Sequence, residues 1–479
     1  MIRGTIYITC SRAALILSGF VLNVILGRWL GPEQFGVFGI INSIGTTIEL
    51  ILLSSLAKGV SKFIAENERS IRSIINGGLL IQAISGLFIF GVLFFGADLI
   101  ASLLNDQEMA IYFRMLSLFI PIAGLAFVYE SALNGIRYFG NQAVITIIFH
   151  ITRLIGAIFF VYIGLSLKGA ILGLIVADIV RLFIGRYFCK GLRAKGNYNM
   201  KSLVKFGFQT AMLSFTTILL VNIDIVAVKV LLKDGAFTGF YNATLTISRM
   251  PSFMVGALGV TLFPLIVKSI SENNEELTKR YISQSVKYLL LFIIPMTFLI
   301  SATSEGLISI LYGEVYSASA RSLSILIFGW AFLTLNMMFN MIILAGDKPY
   351  IAVIMGLFLI PFSIVLNLTL IPIMGIDGAA WAATVTNIVG CALAGGYVYI
   401  RFNAFVNFAS AVRILLASII TYLIAIFYPA EGFMLFANYI FLSIVFFVLL
   451  VILGEITIDD IMNLKGSVFK TLKKEKVAV

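Results

Sequence analysis

The stretch "GAILGLIVADIV" (169–180) aligns without a gap to "GAAWAATVTNIV" (378–389). At the same offset "AVI" (143–145) falls on "AVI" (352–354). Matches at one constant offset mark an internal duplication. Each match closes a half of the chain, and the halves also open alike. "ILGRWLGPEQFGVFGI" (25–40) and "LLKDGAFTGFYNATLTIS" (231–248) both place a charged, glycine-bearing turn between long apolar runs. The register of that second echo is loose by about three residues, as expected for turns, which tolerate insertion better than packed helices.

The apolar runs set the class. The 479 residues are 60% hydrophobic and 12% charged, against roughly 45–50% and 25% in soluble domains. Only helices or closed barrels satisfy their backbone inside lipid. Barrel strands alternate every second residue, whereas these runs are continuous and about 20 residues long, the length of a membrane-spanning helix. The reading is an all-α integral membrane protein with about fourteen spans between residues 6 and 453. The quoted passage at 25–40 is the turn between spans 1 and 2. Cys10, Cys189 and Cys391 are scattered and give neither a disulfide framework nor a metal spacing.

Charge gives the orientation. Lys58, Lys62, Arg69, Arg72, Arg137, Arg186, Lys190, Arg193, Lys195, Lys268, Lys279, Arg280, Lys348, Arg401 and the tail lysines from Lys465 to Lys476 fall in loops on the side of the termini. Little beyond Arg28, Lys168, Lys233 and Arg321 falls opposite, a ratio of roughly five to one that places both termini in the cytoplasm. This accounts for the net charge of +11 without nucleic-acid binding, because the positive charges are short and juxtamembrane. Six spans per half is an even number, so the halves share one orientation, the parallel-repeat design of rocking transporters. The expected organisation is an N-lobe over 1–190, a basic linker over 191–204, a C-lobe over 205–402, two further helices over 403–453 and a basic cytoplasmic tail over 454–479.

With "GRWLGPEQFGVFGI" after span 1, "LNGIRYFGN" (133–141) after span 4 and "GIDGAAWAATVTN" (375–387), the chain resembles the polysaccharide-transporter branch of the multidrug/oligosaccharidyl-lipid/polysaccharide exporter superfamily. The resemblance covers essentially the whole chain. It implies two six-helix lobes around a central cavity lined by spans 1, 2, 7 and 8, and flipping of polyprenyl-diphosphate-linked oligosaccharides across the cytoplasmic membrane.

Ionisable residues inside spans are costly and mark sites by default. Span 2 carries Asn42, Thr46 and Glu49, and span 8 carries Asn242, Thr246 and Arg249, both at i, i+4, i+7, one face of a helix. A diphosphate requires fixed cations, and the arginine fork matches phosphate oxygens. Arg12, Arg249 and Arg153 are therefore the expected anion ligands, with Asn42 and Asn242 beside them. Arg12 can also snorkel to the interface, and Arg249 can also pair with Glu49 or Asp224. Glu49 and Asp224 are the candidate sites for a coupling Na+ or H+, or else counter-ions to Arg12 and Arg249. Asp178 and Arg181, three apart, are expected to neutralise each other. His150 is read as packed in the core. Glu130 and Arg137 are read as interfacial. There is no GxxxxGK[ST] loop, so no nucleotide cofactor is expected. One histidine and short loops argue against an enzyme. The rival reading is a cation-coupled multidrug exporter of the same superfamily.

Overall fold

The computed structural model describes residues 2–192, 198, 200–346, 348–430 and 432–456. Arg193 and Lys195 of the linker and the lysines of the tail lie outside them. The described residues contain helices and no strand. In order the helices are α1 (Ile2–Ile48), α2 (Ser54–Glu66), α3 (Ile71–Phe95), α4 (Ala97–Leu103), α5 (Met109–Gly135), α6 (Phe139–Phe160), α7 (Ser166–Cys189), α8 (Met200–Leu232), α9 (Gly235–Ser248), α10 (Phe253–Ser271), α11 (Glu275–Ala302), α12 (Ser304–Tyr312), α13 (Ala320–Ala345), α14 (Pro349–Met374), α15 (Ile376–Phe402), α16 (Phe408–Phe427) and α17 (Met434–Ile452).

Among the described residues ten apolar runs are long enough to cross a bilayer. Two of them, of 39 and 51 residues, contain a chain reversal at Gly31 (φ 72°) and Gly164 (φ 94°), a left-handed backbone that glycine adopts at no steric cost. Counting each side of these corners, and adding α8 and the α9–α10 pair, the arrangement is compatible with fourteen spans. Large apolar side chains stay on the outside, such as Phe88, Phe95 and Ile400. That surface suits lipid and is foreign to a soluble monomer. The chain is a multi-pass membrane protein.

The duplication is visible in the packing. Helix α7 lies along α6, and α15 lies along α14. A Cβ at Gly169 would stand 2.7 Å from the Phe160 carbonyl carbon, and one at the aligned Gly378 would stand 2.2 Å from the Leu370 oxygen. Both glycines let a helix pair close to backbone distance just after a glycine corner, Gly164 in one half and Gly375 (φ 60°) in the other. α16 packs on α11, and α17 on α16. Glu455, just past α17, fastens this addition. It accepts a hydrogen bond from Ser410, and Lys287 Nζ lies 2.6 Å and Arg413 Nη1 3.6 Å from its carboxylate. Burial favours a protonated Glu455, but these donors and the two cations outweigh it and hold the carboxyl below its usual range.

The halves touch at two levels. At the corner end, α1 beyond Gly31 lies against α9. A Cβ at Gly36 would stand 2.4 Å from Gly235 O, and one at Gly239 would stand 1.9 Å from Pro32 O. The Tyr316 hydroxyl donates to Gly27 O at 2.7 Å, and Arg28 Nε donates to Leu311 O at 2.8 Å. At the opposite end α2 lies against α8, where the Thr210 hydroxyl donates to Ser55 O at 3.0 Å. Lys62 Nζ also sits 4.4 Å from the Phe206 ring centre there. The two equivalent corners pack on each other and close that end here, because their glycines remove the side chains that would hold the backbones apart.

Candidate functional site

Polar side chains gather in three groups between and within the halves. The first lies inside the N-terminal half. Asn42 Oδ1 accepts a hydrogen bond from Arg153 Nη2 of α6 at 3.1 Å. Thr46 bonds back to Asn42 O at 2.8 Å. Glu49 opens a π-helical turn, Glu49–Leu53, between α1 and α2. It lines, with Asn42, Thr46 and Arg153, a cavity of about 30 Å³, room for a water molecule or two.

The second group joins the halves. Asn242 of α9 donates to Phe35 O of α1 at 3.2 Å. Arg249 ends the same helix face, one residue before the 3-10 turn Met250–Ser252. Its Nη2 donates to Asn222 Oδ1 of α8 at 3.5 Å, and Asn222 Nδ2 donates to the Thr47 hydroxyl of α1 at 3.1 Å. The guanidinium carbon lies 5.5 Å from the Trp330 ring centre. Arg249 Nε is buried with no hydrogen-bond partner among the described residues. A buried donor left unmatched is costly and is available to an anion.

The third group lies inside the C-terminal half. Asp224 Oδ1 accepts from Asn367 Nδ2 of α14 at 3.0 Å, and Asn367 Nδ2 also reaches Ser363 O at 2.9 Å. Asn367 Oδ1 has no partner among the described residues. The Asp224 carboxylate and the Ser363 carbonyl thus converge on the Asn367 amide nitrogen, and the acid is held by a neutral donor with no cation beside it among the described residues.

Several pairings differ from expectation. Arg249 meets Asn222 rather than Glu49 or Asp224, and Asp224 meets Asn367 rather than an arginine. The reason is helical phase. Asn222 and Asp224 are two residues apart, about 200° around α8, so Asn222 faces α1 and α9 while Asp224 faces α14. Glu130, near the end of its span, has a side chain only 13% exposed that pairs with Arg181, which also lies 3.5 Å from Asp178. His150 packs edge-on to Phe149 at 4.9 Å. Arg12 is the one exposed member of the seven site candidates.

Three further polar residues are not singled out by the sequence. Asn222 and Asn367 look like ordinary amides in apolar runs, and only their partners in distant helices give them weight. Lys229, 2% exposed, lies 2.6 Å from Asp106. A lysine that deep in a run is itself a signal of a buried partner. The contact ties the loop after α4 to the end of α8, again joining the halves at the corner end.

Comparison with known proteins places this architecture. Relatives include the "Probable low-salt glycan biosynthesis flippase Agl15" of Haloferax volcanii, 23% identical over 373 residues and 78% of each chain. The "Lipid II flippase MurJ" of Bacillus subtilis is 21% identical, covering 84% of this chain and 83% of that one. Among solved structures the fold is similar to lipid II flippase MurJ in an inward closed conformation. The TM-score is 0.76 at 16% identity, over 94% of this chain and 98% of that one. It is also similar to an inward-facing multidrug resistance MATE family transporter of the MOP superfamily, with a TM-score of 0.70 at 14% identity over 80% and 94% of the two chains. The family model described as "Polysaccharide biosynthesis protein" matches residues 25–321, more than half of the sequence, and the chain belongs to that family.

Proposed function

We propose that this chain is a flippase that moves a polyprenyl-diphosphate-linked oligosaccharide across the cytoplasmic membrane by alternating access between its two halves. The observation that carries the reading is Arg249. It sits where the halves meet, is linked through Asn222 to Thr47 across the junction, and holds one buried donor without a partner. A fixed guanidinium at that place suits a diphosphate, whose oxygens it can bind in forked fashion. Arg153 with Asn42, and Asn242 on the junction face, supply further donors, and Arg12 of α1 lies on a helix that lines the path. Family membership and the names of the relatives support the substrate class. The MATE-like fold keeps a drug exporter as the second reading. An exporter of organic cations needs acidic rather than basic groups at the junction, which favours the flippase.

Depleting the chain in its native cell is the direct test. The expected result is accumulation of a lipid-linked oligosaccharide whose sugar stays accessible only from the cytoplasmic leaflet. Unchanged lipid-linked glycans together with increased sensitivity to cationic drugs would favour the exporter instead.

In this reading both termini are cytoplasmic and the corners of Gly31 and Gly235 face outward, because the positive loops lie on the side of the termini. Reporter fusions after Val479 and within 98–108 are expected to report opposite sides. A common side for both overturns the orientation. Glu49 and Asp224, with no nucleotide-binding loop in the chain, are the sites through which an H+ or Na+ gradient drives the cycle.

A further inference from the structure

The N-terminal half contains an acid that neither the junction nor the substrate path uses. Asp178 of α7 is 0% exposed and lies 11 residues from the end of its helix, a depth of about 16 Å. Its Oδ1 has one long contact, 3.5 Å to Arg181, and its Oδ2 has no hydrogen-bond partner among the described residues. Arg181 is already committed to another acid. Its Nε donates to Glu130 Oε2 at 2.9 Å and its Nη2 donates to the same oxygen. The Thr146 hydroxyl donates to the other Glu130 oxygen at 2.8 Å. Arg153 shares a cavity with Glu49.

The local charges therefore do not balance. Glu49, Glu130 and Asp178 carry three carboxyls, and Arg153 and Arg181 carry two guanidiniums. Each arginine has one glutamate, and Asp178 is left over. A bare carboxylate at that depth is costly, and one bound proton removes the excess. His150, edge-on to Phe149, has Arg153 and Arg181 as its charged neighbours. Asp178 has the same two arginines as neighbours and Glu49 besides, so a proton on the carboxyl sits beside one more acidic group than a proton on the imidazole.

A cavity also reaches Glu130, the acid that shares Arg181 with Asp178. A cavity of about 290 Å³ lies between α2, α5 and α6, lined by Lys58, Ser61, Ser131, Asn134, Gln142 and Glu130. Ser61 donates to Asn134 at 3.0 Å, and Asn134 donates to Gln142 at 2.9 Å, so its wall is polar and hydrogen-bonded. Glu130 lies five residues inside the end of α5, about 8 Å deep. From Glu130 the contacts run through Arg181 to Asp178, and beyond Asp178 its next acidic neighbour is Glu49.

We propose that Asp178 is a proton-binding carboxyl at the inner end of a polar passage that enters the N-terminal half beside Gln142, Asn134 and Glu130. A hydronium in the passage gives up its proton to the Asp178 carboxylate, leaving water and a neutral carboxyl. The same proton returns to water when the half reopens. No other reactant is needed. The inference rests on the transporter reading only for what the proton drives.

Its test reads the purified full-length protein alone. Dicyclohexylcarbodiimide couples to protonated carboxyls in apolar surroundings, and the adduct is located by mass spectrometry. Labelling at Asp178 is expected, falling as pH rises from 5 to 9. Ser131→Leu, which narrows the passage without touching the acids, is expected to slow labelling at least threefold. His150→Gln is expected to leave it unchanged. Absence of an adduct at Asp178 across the pH range, labelling at Glu130 instead, or loss of labelling in His150→Gln overturns the proposal. Asp178→Asn is expected to lose the adduct, and the wild-type peptide map decides the matter even where that variant fails to fold. Because no substrate is present, failure of the flippase reading leaves this result standing.

Discussion

Arg249→Ala is expected to abolish glycan export in a complementation assay while the protein level in the membrane stays normal. Two effects combine. The variant loses the charge that we propose neutralises the diphosphate, and a hydrogen bond to a charged group contributes about 1.5–3 kcal/mol. Converted to a rate, that is between about tenfold and a hundredfold. The link from α8 through Asn222 to Thr47 loses its anchor as well. Arg249→Lys keeps the charge and loses the fork, so partial activity is expected. Full activity in the alanine variant removes Arg249 from the site and with it the observation on which the substrate class rests.

Gly239→Val is the second large effect. A Cβ there would stand 1.9 Å from Pro32 O, a backbone atom that no side-chain rotation can move. The corner end then cannot close as it does here, and overpacking of this kind costs about 1–3 kcal/mol or more. Transport is expected to fall at least tenfold, because a cycle that cannot close one end cannot alternate. Thr238, buried against Gly36, provides the readout. In a background without native cysteines, Thr238→Cys is expected to resist an impermeant maleimide, and to react once Gly239→Val is added. Gly19→Ala is the control, since a Cβ there meets nothing within 4 Å, and it is expected to be neutral. Equal labelling with and without the valine shows that the glycine contact does not hold that end shut.

The residues that were legible in the sequence are those whose meaning is local. Gly31 and Pro32 mark a corner because the chain between two apolar runs must reverse, and the matched stretches at 169–180 and 378–389 mark the duplication because both halves need a glycine where two helices meet. Distances between helices are not written in the sequence. Glu130 looks interfacial from its place near a span end, and only the fold brings it to Arg181, 51 residues on. Asp224 looks like a counter-ion to Arg249 until α8 is wound and the face of Asp224 separates from the face of Asn222, which meets Arg249. The π-helical turn at Glu49 breaks a run that reads as continuous, since it carries neither glycine nor proline, whereas the interruption of span 8 after Arg249 has Pro251 within its 3-10 turn.

The most direct measurement reconstitutes the purified chain into liposomes with a fluorescent polyprenyl-diphosphate oligosaccharide and follows its passage between leaflets by quenching. The account predicts transfer at least tenfold above protein-free liposomes. It also predicts loss of transfer in Arg249→Ala, and a response to a pH or sodium gradient that is missing in Glu49→Gln or Asp224→Asn. A wild-type rate equal to that of protein-free liposomes, or one unchanged when the lipid lacks its diphosphate, would contradict it.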